Sequence, residues 1–286
     1  MLDHHSQRTC RSLTGIGPSL RGDEEGAPGL KKRWLLHTPS TYNPCVSRGV
    51  SFAPTKLVRV NTPRLDAVLF DMDGTLIDSE PYWLDAEKEL VESFGGTWSV
   101  EQGLALVGSG LWDSSRAIQS AGVELELAEI IDRLSARVRE RLAESIPWRA
   151  GALGVISEVL SAGIPTALVT MSFRQNALFI AERMSEELGG TAFHTVVAGD
   201  DVKEPKPNPE PYLTAAEGLG VDIHHSVAFE DSVFGAASAL SAGAVTIGVP
   251  LHIEIPASYA TVLWEGLEGR GLTDIHYEVE QARGLS

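Results

Sequence analysis

The sequence has only two cysteines in 286 residues, Cys10 and Cys45, and both lie near its N-terminus. Beyond Cys45 no thiol is available, which excludes a disulfide framework or a thiolate metal site there. A chain without disulfides is typical of a reducing compartment, and we expect a cytoplasmic location. No apolar run approaches the roughly 18 residues of a transmembrane helix, and the N-terminus lacks the apolar core of a signal peptide, so we expect no membrane association.

Positive charge is also scarce. The formal net charge is -16, which argues against nucleic acid or an anionic membrane as a partner. Lysine and arginine outnumber acidic residues only in residues 1–64, a segment rich in Gly, Pro and Ser without sustained hydrophobic periodicity. We therefore predict that residues 1–64 form a disordered, basic N-terminal extension. After this segment the only lysines are Lys88, Lys203 and Lys206.

From residue 65 the composition is that of a globular protein, and short apolar runs bounded by turns alternate with helical patterns. The runs are Ala67–Phe70, Thr166–Val169, Phe193–Val197, Val227–Phe229 and Val245–Val249, and the later helical stretches are about Gln175–Leu188, Pro209–Leu219 and Ser232–Ala242. Continuous apolar strands between helices predict an α/β fold, a Rossmann-like parallel sheet with helices on both faces. Such sheets bind ligands beyond the carboxyl ends of their strands.

The interval between the first two apolar runs is far too long for a loop. Its pattern is helical, at Trp83–Phe94, Gly110–Ser120 and Glu124–Leu142, with a further helix at Ala152–Ala162 that we assign to the main sheet. We predict an inserted helical cap at residues 82–148 and an α/β core formed by residues 65–81 and 149–286. A cap in this position can close over the strand ends and exclude water.

Polar residues follow four of the predicted strands. Asp71 and Asp73 come after the first and Thr170 after the second. A lysine-rich segment with Lys203 and Lys206 follows the third, and Glu230 and Asp231 follow the fourth. Carboxylates at two strand ends make an oxygen-only site that suits a hard cation such as Mg²⁺. A hydroxyl and an ammonium group beside it suit a phosphoryl group, whose transfer needs positioning and charge neutralisation.

Together these segments resemble the four motifs of the haloacid dehalogenase superfamily, in particular its phosphatases with a helical cap. The matching segments are Asp71-Met72-Asp73-Gly74-Thr75, Thr170, Lys206 with Pro207 and Pro209, and Glu230-Asp231-Ser232. The resemblance implies that Asp71 is the nucleophile and Asp73 the general acid and base. It also implies that Thr170 and Lys206 bind phosphate. Lys206 is preferred over Lys203 because its flanking prolines match the motif.

The resemblance further implies a Mg²⁺ site formed by Asp71, the backbone carbonyl of Asp73, Asp231 and Glu230, the last as a ligand or as support for one. Asp73 favours an oxygen leaving group, since dehalogenase members lack an acid at that position. Phosphonatase members also lack this acid and use a cap lysine instead. The predicted cap has only Lys88, which argues against a phosphonatase.

The resemblance also implies a small phosphorylated metabolite as the substrate, of the sugar phosphate or phosphoglycolate type, and we expect a monomer. Candidate substrate contacts are Gly108, Ser109, Ser172 and Arg174. Arg116, Trp83 and Trp112 are further candidates in the cap, although core packing is the favoured role of the two tryptophans.

Two alternatives remain open at this point. A β-phosphoglucomutase-like phosphomutase would share the same core, but it has to bind a sugar phosphate through basic groups of the cap. The arginines of the predicted cap cluster at residues 133–141, on a helix that we expect to face solvent. A non-catalytic binding protein could reuse the fold, although a complete set of catalytic residue types argues against it.

Overall fold

The computed structural model describes residues 64–284, so the predicted N-terminal extension lies outside the described residues except for Arg64. This part of the chain contains a sheet of six parallel strands in the order β3-β2-β1-β4-β5-β6. The strands are β1 (Ala67–Phe70), β2 (Thr166–Val169), β3 (Thr195–Val197), β4 (Ser226–Glu230), β5 (Val245–Gly248) and β6 (Val262–Leu263). The helices are α1 (Glu80–Ser93), α2 (Val100–Leu104), α3 (Leu111–Ser120), α4 (Leu127–Glu144), α5 (Ala152–Ser161), α6 (Arg174–Leu188), α7 (Glu210–Leu219), α8 (Val233–Ala242) and α9 (Leu272–Ala282).

The strands are apolar throughout because side chains on both faces of the sheet are buried. In β1, Val68 and Phe70 pack into one hydrophobic layer, whereas Leu69 packs into the layer on the opposite face. Helices α7 and α8 cover the face that contains Leu69, and α5, α6 and α9 cover the other. The predicted fold class, a Rossmann-like parallel sheet with helices on both faces and a helical insertion, is therefore confirmed.

The insertion between β1 and β2 consists of α1, α2, α3 and α4, in which α4 packs against both α1 and α3. Helix α1 begins at Glu80, three residues before the helix predicted at Trp83, and Pro81 lies in its first turn, where no amide donor is needed. The predicted division at residue 82 consequently falls inside this helix. Helix α4 also contacts α6 of the sheet layer, so the inserted helices rest directly on the core.

The last two elements, β6 and α9, were not predicted, because the motif resemblance is weak after Pro250. They extend the sheet beyond β5 and cover its outer part. Trp264, just after β6, packs edge-on against Phe229 at 5.5 Å, and Phe229 stacks on Phe70 at 5.1 Å between ring centres. Among residues 64–284, no helix has the combination of length and apolar character needed to cross a membrane.

Candidate active site

The candidate site lies where the strand order reverses, between β1 and β4. Because all strands are parallel, their carboxyl ends meet at one edge of the sheet, and this edge is where doubly wound sheets bind ligands. Asp71 directly follows β1, Thr170 directly follows β2, and Glu230 is the last residue of β4. Sequence-distant polar side chains are thus brought together by the sheet itself.

Asp71 is buried and has two differently engaged oxygens. Its Oδ1 accepts a hydrogen bond of 2.8 Å from the ammonium group of Lys206. Its Oδ2 is fully enclosed and accepts no hydrogen bond from any residue in the described range. Burial, followed by the charge of Glu230, raises the pKa of Asp71 to about 7, although Lys206 acts in the opposite direction.

Lys206 is the central cation of the site, and only 2% of its side chain is exposed. Its Nζ donates to Asp71 at 2.8 Å, to Oε1 of Glu230 at 2.6 Å and to the backbone carbonyl of Val169 at 2.8 Å. Burial alone would lower the pKa of Lys206, but the two carboxylates raise it above its ordinary value, so the ammonium form persists. Tyr212, buried below, donates its hydroxyl to the same Glu230 oxygen at 2.5 Å.

Asp71, Glu230 and Asp231 form a compact group of buried carboxylates, with one oxygen of each within 4.8 Å of the others. Three carboxylates facing one ammonium leave two negative charges uncompensated, and burial, followed by repulsion from Asp71, raises the pKa of Asp231 well above its ordinary value. The donor set is oxygen only, and Oδ2 of Asp71 still lacks a partner, so the residues fit a hard divalent cation such as Mg²⁺.

Gly74 brings the backbone after β1 against Asp231. Its φ is +80°, and a Cβ at this position would lie 1.9 Å from Oδ2 of Asp231. Only glycine combines this left-handed conformation with the absence of a side chain. The turn therefore fixes the approach of the first motif to the fourth.

Asp73 is held by four hydrogen-bond donors and does not belong to the carboxylate group. Its Oδ1 accepts from Ser79 Oγ at 2.6 Å and from the indole of Trp83 at 3.3 Å. Its Oδ2 accepts from Ser172 Oγ at 2.8 Å and from Thr170 Oγ1 at 3.2 Å. Donors from both the core and helix α1 thus orient one carboxylate at the boundary between sheet and insertion.

A cavity with a volume of about 70 Å³ opens between these strand ends and the inserted helices, which is room for several water molecules. Its floor is formed by Asp71, Asp73, Thr170, Met171, Ser172, Lys206, Asp231 and Ser232. Its roof is formed by Glu80, Trp83, Glu87, Gly103, Leu106, Val107, Gly108, Ser109, Leu111, Ser114 and Leu134. The cavity is therefore bounded by both the core and the insertion.

Comparison with known proteins agrees with this arrangement. Residues 68–249 match the family model of haloacid dehalogenase-like hydrolases, which spans more than half of the chain. The chain belongs to this family of hydrolases. It is 32% identical to the phosphorylated carbohydrates phosphatase of Thermotoga maritima, over 66% of this chain and 86% of that protein.

Two further relatives have comparable similarity to this hydrolase. The fructose-1-phosphate phosphatase YqaB of Escherichia coli is 34% identical, over 66% of this chain and 98% of that protein. The crystal structure of CbbY from Rhodobacter sphaeroides in complex with phosphate is 30% identical and has a TM-score of 0.63, covering 73% of this chain and 98% of that one. The hydrolase thus spans nearly the whole length of both relatives.

Most residues predicted for the site of this hydrolase line the cavity, but four do not. Glu230 lies behind the cavity wall, where it accepts hydrogen bonds from Lys206 and Tyr212. Arg174 forms an ion pair with Asp201 and does not line the cavity. In the insertion, Arg116 pairs with Asp113, and Trp112 is exposed and packs beside Phe173. Gly108 and Ser109 do line the cavity, and Gly108 lies so close to Ser232 that a Cβ would come within 2.6 Å of it.

Several residues of the hydrolase site were not predicted. Glu80 and Glu87 enter the cavity roof from α1, and Tyr212 supports Glu230 from α7. Arg149 donates to the backbone carbonyls of Gly74 at 2.5 Å and of Val249 at 2.7 Å, which ties the turn after β1 to the end of β5. A signal for the two glutamates was present, because Glu80, Trp83 and Glu87 have the i, i+3, i+7 spacing that puts side chains on one helix face.

Proposed function

We propose that this hydrolase is a Mg²⁺-dependent phosphatase that removes the phosphate from a small-molecule monoester through an aspartyl-phosphate on Asp71. The observation that carries the proposal is the pairing of two different carboxylates at the end of β1. Asp71 keeps an unpartnered, buried oxygen beside Lys206, while Asp73 is oriented by hydroxyl and indole donors. One carboxylate is thereby available as a nucleophile and the other for proton transfer.

In the first step the carboxylate of Asp71 attacks phosphorus and forms an acyl-phosphate bond as the ester P–O bond breaks. Asp73, entering in its protonated form, gives its proton to the departing alkoxide oxygen, so that a neutral alcohol leaves. Lys206 and the hydroxyl of Thr170 face the cavity and would compensate charge on the phosphoryl oxygens.

In the second step water attacks the same phosphorus atom, and the ionised carboxylate of Asp73 takes up its proton. The P–O bond to Asp71 breaks, which releases inorganic phosphate and restores the carboxylate. Asp73 is protonated again and ready for the next ester, so the cycle balances. The four hydrogen bonds to Asp73 fix its carboxylate in position for the base role. For the acid role one of the donor hydroxyls has to rotate away, so that a carboxyl oxygen can carry the proton.

Asp71 and Asp231, with the backbone carbonyl of Asp73, would hold Mg²⁺, and Glu230 would support the site through Lys206 and Tyr212. When bound, Mg²⁺ would neutralise charge on the phosphoryl oxygens and favour the ionised form of Asp71. This assignment rests on the group of three buried carboxylates and on the unpartnered Asp71 oxygen.

A small phosphorylated carbohydrate is the substrate type that we propose, supported by the phosphorylated carbohydrates phosphatase and the fructose-1-phosphate phosphatase among the relatives. A cavity of about 70 Å³ is small for a hexose phosphate, so we expect the inserted helices to move when substrate enters. We also propose that the protein acts in the cytoplasm, a reducing compartment that suits a chain without cysteines after Cys45, and that it is a monomer.

The phosphomutase alternative is less well supported. A mutase must bind a phosphate at each end of a sugar, and among the described residues the only basic side chain that lines the cavity is Lys206. Incubation with β-glucose 1-phosphate separates the two activities. Formation of an isomeric sugar phosphate without free phosphate would overturn the phosphatase proposal.

Phosphate release from a panel of sugar, polyol and organic-acid monophosphates, with Mg²⁺ and with EDTA, tests the proposal directly. We expect Mg²⁺-dependent release by the wild type and none above background by Asp71→Asn. Asp85→Asn, an exposed aspartate on α1, is the matched control and should retain wild-type activity. Full activity of Asp71→Asn, or no release from any ester by the wild type, would refute the proposal, the latter in favour of a non-catalytic binding protein.

A further inference from the structure

Two buried glutamates of α1, Glu80 and Glu87, form an acidic roof over the cavity. They are only 8% and 5% exposed, respectively. Neither oxygen of Glu80 accepts a hydrogen bond from any residue between 64 and 284, and Glu87 uses only Oε2, which accepts from the indole of Trp98 at 3.0 Å. None of these oxygens is among the fully enclosed atoms without a partner in residues 64–284, so the unpaired ones reach the cavity. There they can accept hydrogen bonds from a ligand that carries donors.

No positive charge in the cavity roof opposes these carboxylates. Lys206, the one basic residue that lines the cavity within the described part of the chain, lies in the floor and is already bound to Asp71 and Glu230. Burial raises the pKa of Glu80 to about 8 and that of Glu87 to about 7. Above these pKa values the glutamates are ionised, so at pH 8 a second negative charge on a bound substrate would meet like charge from Glu87 and in part from Glu80, without a cation in the roof to pair with.

The remaining residues of the roof suit a neutral group. Trp83, Leu106 and Leu134 provide apolar surface, and Ser109 and Ser114 provide hydroxyls that are 3.1 Å apart. Apolar surface beside hydrogen-bond acceptors is complementary to a polyhydroxylated carbon chain, whose C–H and O–H groups point in different directions.

We propose that the roof restricts this enzyme to phosphate monoesters whose leaving group carries hydroxyl groups and no negative charge, with Glu87 as the residue that rejects anionic leaving groups. This inference rests on the proposed phosphatase activity. It removes phosphoglycolate and sugar bisphosphates from the expected substrates and retains sugar and polyol monophosphates. Glu87 acts by accepting hydrogen bonds from hydroxyls and by repelling a carboxylate or a second phosphate.

Matched esters test this selection, because they differ only in one terminal group. Glycerol 3-phosphate and 3-phosphoglycerate differ by CH₂OH against carboxylate, as do glucitol 6-phosphate and 6-phosphogluconate. We expect the wild type at pH 8 to have a kcat/KM at least about tenfold higher for the neutral member of each pair, since a charge in a poorly hydrated site affects rates on this scale.

Glu87→Gln keeps the acceptor for Trp98 and removes the charge. We expect it to lower the neutral-to-acid ratio of kcat/KM by about tenfold, chiefly through faster hydrolysis of the acids. Glu92→Gln, an exposed position on the same helix, should leave the ratio unchanged. Should Glu87→Gln not fold, as judged by circular dichroism, Glu80→Gln removes the neighbouring charge and is expected to lower the ratio in the same way.

The outcomes distinguish this inference from the proposed function. Equal or faster hydrolysis of the acids by the wild type, or an unchanged ratio in the folded Gln variant, would overturn the inference while leaving the phosphatase activity established. Absence of hydrolysis for every ester would instead overturn the phosphatase proposal, and the inference with it.

Discussion

Replacement of Lys206 by methionine would remove the only cation among residues 64–284 that forms ion pairs with the buried carboxylates of the site. The ammonium group forms ion pairs of 2.8 Å with Asp71 and 2.6 Å with Glu230, and 2% of the lysine side chain is exposed. Removal of one partner from such a buried pair costs about 3–5 kcal/mol, because the remaining charges stay desolvated without compensation. Methionine has a similar volume, so cavity formation adds little to this loss.

For a domain of this size the loss corresponds to a decrease in melting temperature of about 6–20 °C. The effect should increase with pH. Lys206 lowers the pKa of Asp71, so without it that pKa rises above about 7. A native carboxyl with a raised pKa binds a proton that the unfolded chain has already released. The unfolding free energy therefore falls as pH rises from about 4 through the native pKa.

Thermal denaturation in EDTA at pH 5 and pH 8, followed by circular dichroism, measures this effect, and phosphate release measures the functional loss, expected to be at least about 100-fold. Lys203→Met is the control, because Lys203 is exposed and three residues away. It should change stability by no more than about 0.5 kcal/mol. The reasoning fails if Lys206→Met melts within about 2 °C of the wild type at pH 8, or if Lys203→Met loses the activity instead.

Three further predictions concern other parts of the site. Asp73→Asn should release one equivalent of p-nitrophenol from p-nitrophenyl phosphate in a rapid burst, because this leaving group needs no proton. Subsequent turnover should be about 100-fold slower than that of the wild type, because water is no longer activated. Stopped-flow absorbance measures both the burst and the later turnover. A fast steady state without a burst would contradict the role of Asp73. Gly74→Ala should raise the Mg²⁺ concentration for half-maximal activity by about tenfold, since the added Cβ would meet Asp231. Gly163→Ala is the control for backbone strain, because Gly163 has a similar φ of +72° and open space around it. An equal effect of the two substitutions would argue against the clash with Asp231. Finally, the buried Glu87 has a pKa raised from 4.5 to about 7, so the unfolding free energy of the wild type should fall relative to that of Glu87→Gln as pH rises from 4.5 to 7, by on the order of 3 kcal/mol. Urea unfolding at pH 5 and pH 8 measures this difference, and a pH-independent difference would be inconsistent with burial of the carboxyl.

The sheet and the floor of the site were predictable because they depend on local signals. Apolar runs of four or five residues mark strands that are buried on both faces, and polar residues immediately after such runs must lie at one edge of a parallel sheet. Asp71, Thr170 and Glu230 follow this logic, and the structure places all three at the cavity or beside it. They come together because the strands are parallel and their carboxyl ends meet at one edge of the sheet.

The two C-terminal elements, β6 and α9, escaped prediction for a physical reason. The strand β6 has two residues and pairs only with β5, so it carries almost no periodic signal. Helix α9 is amphipathic but follows a stretch that resembles no motif. Both are stabilised by packing on the outer sheet, through Trp264 and the buried Ile275, which a sequence window does not include.

The amino-acid sequence by itself determined which side chains lie at the strand ends, and with them the family and the chemistry of the cavity floor. Only the tertiary structure decided what faces that floor. Glu87 could equally have been an exposed glutamate, since helical spacing identifies a shared face but not the surface that the face contacts. The packing of α1 on α4, with Trp83 hydrogen-bonded to Asp73, turns that face towards the cavity, so that a surface charge becomes a buried carboxylate in the roof of the site.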